Sequence, residues 1–216
     1  MQYKIDRLNL TAYKSNRRKL RSLKYRYLAK SQIVRHNAIG TRFQFVNFRG
    51  SRFLKVRFDR AYIQGCDFWG ATFKDCKFVN TTITDSVFMS CTFINCSFMN
   101  TTMDYTAVVN TEINFEGLSL KEKVAVLHRY PEYSITHDLA ETLAKLYEDM
   151  NLRKCKLLNI SRKKYNLLNL VLLENKFPKA TLAELLKKLS TISTKEITTY
   201  KKMELALLPF YKNPAL

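Results

Sequence analysis

Acidic residues are scarce in this 216-residue sequence: 18 Asp and Glu stand against 37 Lys and Arg, a formal charge of +19. An imbalance of that size favours a partner of negative charge, such as nucleic acid, an anionic membrane surface or an acidic protein face. Catalytic and metal-binding patterns are missing too. No P-loop, GxGxxG, GxSxG or HExxH occurs in the sequence, so its nucleotide, hydrolase and metalloprotease signatures are excluded. The three histidines are His36, His128 and His137, and the last two are not at helical ligand spacing. The five cysteines contain no CxxC, which argues against a zinc knuckle and a disulfide framework alike. Glu148 and Asp149 are adjacent, so on a helix they face different ways. The expectation is a protein that is not an enzyme and holds no cofactor or metal.

Long apolar runs are absent as well. The most apolar stretch is Leu167–Leu173, far below the ~20 residues that span a bilayer. The opening MQYKIDRLNL has no apolar signal region. These two features read as a cytoplasmic protein. A hydrophobic content of 46% excludes a disordered tail.

What the sequence does have is a period of five. From Phe43, every fifth residue is apolar: Phe43, Phe48, Phe53, Phe58, Ile63, Phe68, Phe73, Phe78, Ile83, Phe88, Phe93, Phe98, Met103, Val108 and Ile113. Two residues before each lies a small or modest side chain, among them Ser51, Cys66, Ala71, Cys76, Thr81, Cys91 and Thr101. Five fits neither the helical period of 3.6 nor the strand period of 2. It fits a square coil in which each pentad makes one side and turns one large and one small residue inward. Cys76 and Cys96 fall twenty apart and read as small inward fillers, since buried free cysteine behaves as a small hydrophobe.

The blocks CDFWG, ATFKD, CKFVN, CTFIN and CSFMN resemble the pentapeptide-repeat family. The resemblance covers about residues 41–117, and it implies a right-handed quadrilateral β-helix of twenty residues per coil, here about four coils. It also implies a binding or scaffolding role rather than catalysis. Some members imitate duplex DNA through an acidic surface; this chain has the opposite charge. On that fold Phe48, Phe68 and Phe88 stack on one side, Phe53, Phe73 and Phe93 on the next, and Phe58, Phe78 and Phe98 on a third. Outward positions bring Arg49 beside Trp69 as a cation–π pair, Lys55 above Asp75 and Arg57 above Lys77. Trp69, Met89 and Val109 make an apolar outward stripe, either a protein-interaction surface or one covered by flanking helices.

Charge is polarised along the chain. Residues 1–60 carry 17 basic and 2 acidic side chains, residues 61–117 carry 2 and 6, and residues 118–216 carry 18 and 10. A solenoid needs caps at its open ends. Residues 1–40 are expected to supply a basic cap, with a helix over 12–36. Residues 118–216 read as an α-helical domain, with helices near 119–129, 137–159, 162–176, 180–190 and 194–208 and capping-box spacing at Ser119–Glu122 and Thr181–Glu184. Arg17, Arg18, Lys19, Arg21, Lys24, Arg26 and Lys30, joined by Arg42, Arg49, Arg52 and Arg57, are the candidate nucleic-acid-binding residues. The expected role is a scaffold or adaptor. It would bind nucleic acid or a nucleoprotein through this basic end, and a protein partner or a second copy through the C-terminal helices. Alternatives are a peripheral membrane or target-protein binder, and an accessory subunit of a bacterial defence or regulatory complex. Membrane binding is disfavoured because 12–36 lacks Trp and Phe.

Overall fold

The computed structural model describes residues 7–11, 19–121 and 123–213. The chain divides into two units after Arg129.

In the first unit each pentad is one side of a four-sided coil. A three-residue strand carries the inward apolar residue at its centre, for example Arg52–Leu54, Thr72–Lys74 and Thr92–Ile94. A corner follows two residues after that centre, and there the backbone turns left-handed. Every fifth residue from Tyr25 to Asn110 has a positive φ, either as glycine or as another residue. All strand pairs of this unit are parallel and most run at a spacing of twenty, as in Phe53↔Phe73 and Phe88↔Phe68. The core is a set of phenylalanine columns. Phe53 and Phe73 stack at 4.8 Å and Phe73 and Phe93 at 4.7 Å between ring centroids. Phe58, Phe78 and Phe98 continue at 4.7 and 4.8 Å, and Phe48, Phe68 and Phe88 at 5.5 and 4.8 Å. The columns expected from the period of five are therefore present.

The small inward position has its own chemistry. Ser51 Oγ donates to Leu28 O, Thr81 Oγ1 to Phe58 O and Thr101 Oγ1 to Phe78 O, each on the preceding coil. The thiols of Cys66, Cys76, Cys91 and Cys96 donate to Phe43 O, Phe53 O, Phe68 O and Phe73 O in the same way. Serine, threonine and cysteine are interchangeable here because each offers one donor on a short stem. All five cysteines are free. Burial pushes the Cys66 and Cys91 thiols up to about 12, and the Cys96 thiol together with burial pushes Cys76 up. Cys66, Cys76 and Cys91 are packing groups, whereas the bond with Cys76 holds the partly buried Cys96 thiol below its ordinary value.

The solenoid is longer than 41–117, with about six turns. The expected basic helix over 12–36 is not there for residues 19–36, which form coil: Leu23–Tyr27 pairs with Arg42–Asn47, and Gln32–Val34 with Arg52–Leu54. Residues 12–18 lie outside the described residues. Leu23, Leu28, Ile33 and Ala38 continue the inward track at the same spacing of five, and the last three are buried. An earlier strand, Asn9–Thr11, pairs with Gln32–Val34. At the other end the register shortens: Thr101 pairs with Leu118 and Ala107 with Ala125. The last coil therefore omits a strand on the fourth side. Gly117 makes the short cut; a Cβ there would lie 2.0 Å from Phe98 O, and its φ is +75°. The helix expected near 119–129 is replaced by strands Leu118–Leu120 and Ala125–Leu127, because these residues still have a strand edge to pair with.

Among its described residues the second unit has five α-helices: α1 His137–Leu146, α2 Met150–Cys155, α3 Leu167–Glu174, α4 Lys179–Lys187 and α5 Tyr200–Lys212. The single helix expected over 137–159 is broken at Asp149, whose carboxylate accepts from Asn151 N and Leu152 N and so starts α2. The same carboxylate accepts from Thr194 Oγ1 at 2.9 Å, and Asn151 Nδ2 donates to Thr194 O and Ile197 O. The start expected at 162 is a short antiparallel hairpin, Asn159–Ser161 with Lys164–Tyr165. Thr181 does not cap α4, which begins at Lys179 after Pro178. The apolar stretch in α3 is central, as expected: Leu168, Leu170 and Leu173 are fully buried.

Candidate polyanion-binding surface

The coil places each cation by its position in the pentad. Inward positions are apolar or small. Outward positions flank the strand centre, and corners sit two residues beyond it. Lys24 and Arg42 are outward on the first side, Arg49 is outward on the second, Arg52 on the third and Arg57 on the fourth. Lys30, Arg35, Lys55 and Arg60 occupy left-handed corners at φ 57°, 56°, 55° and 53°. Lys19 bridges Asn37 at the top of the fourth side. Lys19, Arg21, Lys24, Arg26, Lys30, Arg35, Arg42, Arg52, Lys55, Arg57 and Arg60 are exposed, and Asp59 is the one acid between residues 19 and 60. Arg17 and Arg18 lie outside the described residues.

The cations predicted as one helical face thus form a collar around the first coils. Several of the collar cations have partners among the described residues. Arg49 is half-buried with its guanidinium 4.0 Å from the Trp69 ring centroid, the predicted cation–π pair. Arg57 Nε donates to Asp59 Oδ2 at 2.9 Å, and its Nη2 reaches the same oxygen. Arg42 lies 5.9 Å from the Tyr62 ring and Lys24 4.7 Å from the Tyr25 ring.

Sequence reasoning missed the densest part of the collar, where the third and fourth sides meet. Arg35 N donates to Leu54 O and Lys55 N to Lys74 O, which stacks the Arg35, Lys55 and Asp75 corners one above another. Arg57 pairs with Lys77 in register. Lys55, Lys74 and Lys77 were outside the candidate set, although the spacing of twenty had already put Lys55 above Asp75 and Arg57 above Lys77. Conversely, Met89 and Val109 are buried and Trp69 is half-buried, so the apolar stripe is not an open surface. Among the described residues no group of three or more His, Cys, Asp and Glu could hold a metal. No helix among them is long and apolar enough to cross a membrane.

The second unit carries a smaller basic group. Arg162, Lys163 and Lys164 are exposed at the hairpin, and Arg153 and Arg162 share Glu148 at 3.8 and 3.6 Å.

The family model described as the SV2A/B/C luminal domain matches residues 16–116. No curated protein matches the sequence. Among solved structures, a pentapeptide repeat protein of the Arabidopsis thaliana thylakoid lumen is 15% identical over 58% of this chain and 75% of its own, with a TM-score of 0.20. Full-length QnrB1, a plasmid-mediated fluoroquinolone resistance protein, is 11% identical over 56% of this chain and 92% of its own, at 0.21. Rfr23 of the cyanobacterium Cyanothece 51142 is 10% identical over 56% and 86%, also at 0.21. Likeness at that level carries no functional argument. The chain's own geometry establishes the fold: with one pentad to a side, twenty residues to a coil and stacked phenylalanines within, the first unit is a pentapeptide-repeat β-helix.

Proposed function

We propose that this protein is a non-enzymatic docking scaffold. Its β-helix acts as a rigid mount, and the basic collar of the first coils holds a polyanion, either nucleic acid or a nucleoprotein. The observation that carries this reading is the exposure of eleven cations between residues 19 and 60 against one acid, which is already bound to Arg57. A surface of that composition repels itself and gains free energy when phosphates displace counterions. The helical unit is the candidate site for a protein partner or a second copy. Five free thiols support a reducing, cytoplasmic setting.

The test is binding to duplex DNA, single-stranded RNA and anionic liposomes as a function of salt. The scaffold reading expects tight nucleic-acid binding at low salt with a steep negative slope of log affinity against log salt. Absence of nucleic-acid binding at low salt removes it. Preference for liposomes would instead assign the collar to a membrane surface.

A further inference from the structure

The collar is not uniform, and its strongest part is the edge between the third and fourth sides. Arg35, Lys55, Arg57, Lys74 and Lys77 project there from three successive coils, with Arg52 at the opposite end of the third side, and all six are exposed. The coil rise is about a strand spacing, ~4.8 Å, so like charges face each other at short range. Such pairs are unfavourable unless something lies between them. Arg57 has Asp59; among the described residues the charged ends of the other five have no ion-pair or hydrogen-bond partner. Asp75, the acid below Lys55, already accepts from Asn95 Nδ2 at 3.4 Å.

A second observation is independent of charge. Arg35 and Lys55 stand at corners with φ of 56° and 55°. That conformation suits asparagine, aspartate and glycine, and the later corners hold Asp75, Asn80, Asp85, Asn95, Asn100 and Asn110. The first coils therefore keep long cations where the fold itself favours a short polar residue.

A third observation selects the form of the polyanion. The outward positions of these two sides over the three coils are Gln32, Val34, Asn37, Ile39, Arg52, Leu54, Arg57, Asp59, Thr72, Lys74, Lys77 and Val79. None is aromatic. Single-stranded nucleic acid is held by stacking its bases on aromatic rings, and this edge offers no ring. Phosphate contacts without base contacts position a duplex and do not read its sequence.

Resting on the polyanion reading above, we infer that the edge between the third and fourth sides is a duplex nucleic-acid site. It grips the phosphodiester backbone across three coils, independently of base sequence.

The experiment compares the full chain with Lys55→Glu/Lys77→Glu and with Lys24→Glu/Arg42→Glu, a pair of equal charge change on the first side. The probes are a 20-base-pair DNA duplex, a scrambled duplex of the same length and a single strand of the same length, each titrated against salt. Circular dichroism and the thermal midpoint check that each variant is folded. The edge pair is expected to lose more than about tenfold in duplex affinity, and its salt slope should fall by about two, since each phosphate contact contributes about 0.9. The first-side pair, also in the collar but off the edge, should lose less, and its salt slope should fall by less than about one. The two duplexes should bind alike, and both more tightly than the single strand. Equal losses from the two pairs would overturn the edge assignment while leaving the polyanion reading standing. Tighter binding of the single strand would overturn the duplex assignment. Failure of the wild-type chain to bind any of the three at low salt would remove both.

Discussion

The two halves of the β-helix share one backbone and differ in almost everything they show to solvent. Residues 19–60 and 61–113 share a continuous inward apolar track with phenylalanine columns through its middle, the same left-handed corners and the same parallel register. Outside, the first half is crowded with cations at its corners and flanks, whereas the second has only Lys74 and Lys77 and carries mostly asparagine, aspartate, serine, threonine and glycine at its corners and many of its flanks. The difference teaches that in this fold the inward positions carry the structure and leave the outward ones free. Surface chemistry can then change from one coil to the next without any change of fold.

That separation can be broken in four ways. The largest effect is expected in the shared core. Phe53→Ala in the basic half, between Ile33 and Phe73, and Phe78→Ala in the mildly acidic half, between Phe58 and Phe98, each empty a slot in a buried column, and each should lose roughly 3–5 kcal/mol by denaturant unfolding of the solenoid. Unequal losses would mean that the surface does reach into the core.

Next is the clipped final coil, which has no counterpart in the first half. Gly117→Ala drives a methyl group into Phe98 O at a positive φ and should cost more than the roughly 1–3 kcal/mol of simple backbone strain. Gly70→Ala shares the left-handed φ but meets nothing within 4 Å, so its cost should stay within that strain. Equal midpoints for the two variants would show that the short cut is not held by Gly117.

The thiols give a smaller, pH-dependent effect. Burial raises Cys66 and Cys91 from the ordinary 9.0 to about 12. Because the folded value lies above the unfolded one, their neutral form supports folding fully below about pH 9, and that support falls as pH rises toward 12. The unfolding midpoint should decline across that window, and Cys66→Ser/Cys91→Ser should flatten the decline. Both thiols should resist alkylation in the native protein at pH 8.

The smallest effect is at the corners and has opposite signs in the two halves. Lys55→Asn should raise stability by up to about 1 kcal/mol, and Asn95→Lys should lower it by a similar amount. A neutral Lys55→Asn would argue that the first-half corners are not strained by their cations.

Much of this fold is readable from the pentads, because Phe43 to Ile113 repeat without a gap and a spacing of five has no helical or flat-strand meaning. The first coil was obscured because Leu23, Leu28, Ile33 and Ala38 continue the track without phenylalanine, amid cations that read as a helix surface. The last coil was obscured because its register shortens at Gly117. Of the candidate site, Arg49 over Trp69 and Arg57 above Lys77 followed from the spacing of twenty. The edge cluster was missed because cations were ranked by position in the chain, whereas the coil sorts them by side. In the helical unit the break at Asp149 follows from its carboxylate's bonds to a segment more than forty residues away, and sequence periodicity does not report such a contact.

The parallel register gives the molecule a unit of length. Each further twenty residues lengthens the rod by about one strand spacing and returns the chain to the same side of the square. Whole coils could be gained or lost while every remaining inward side chain kept an apolar neighbour one coil away. The basic edge could thus be extended or shortened in fixed steps, like graduations on a rule, with its direction along the rod unchanged.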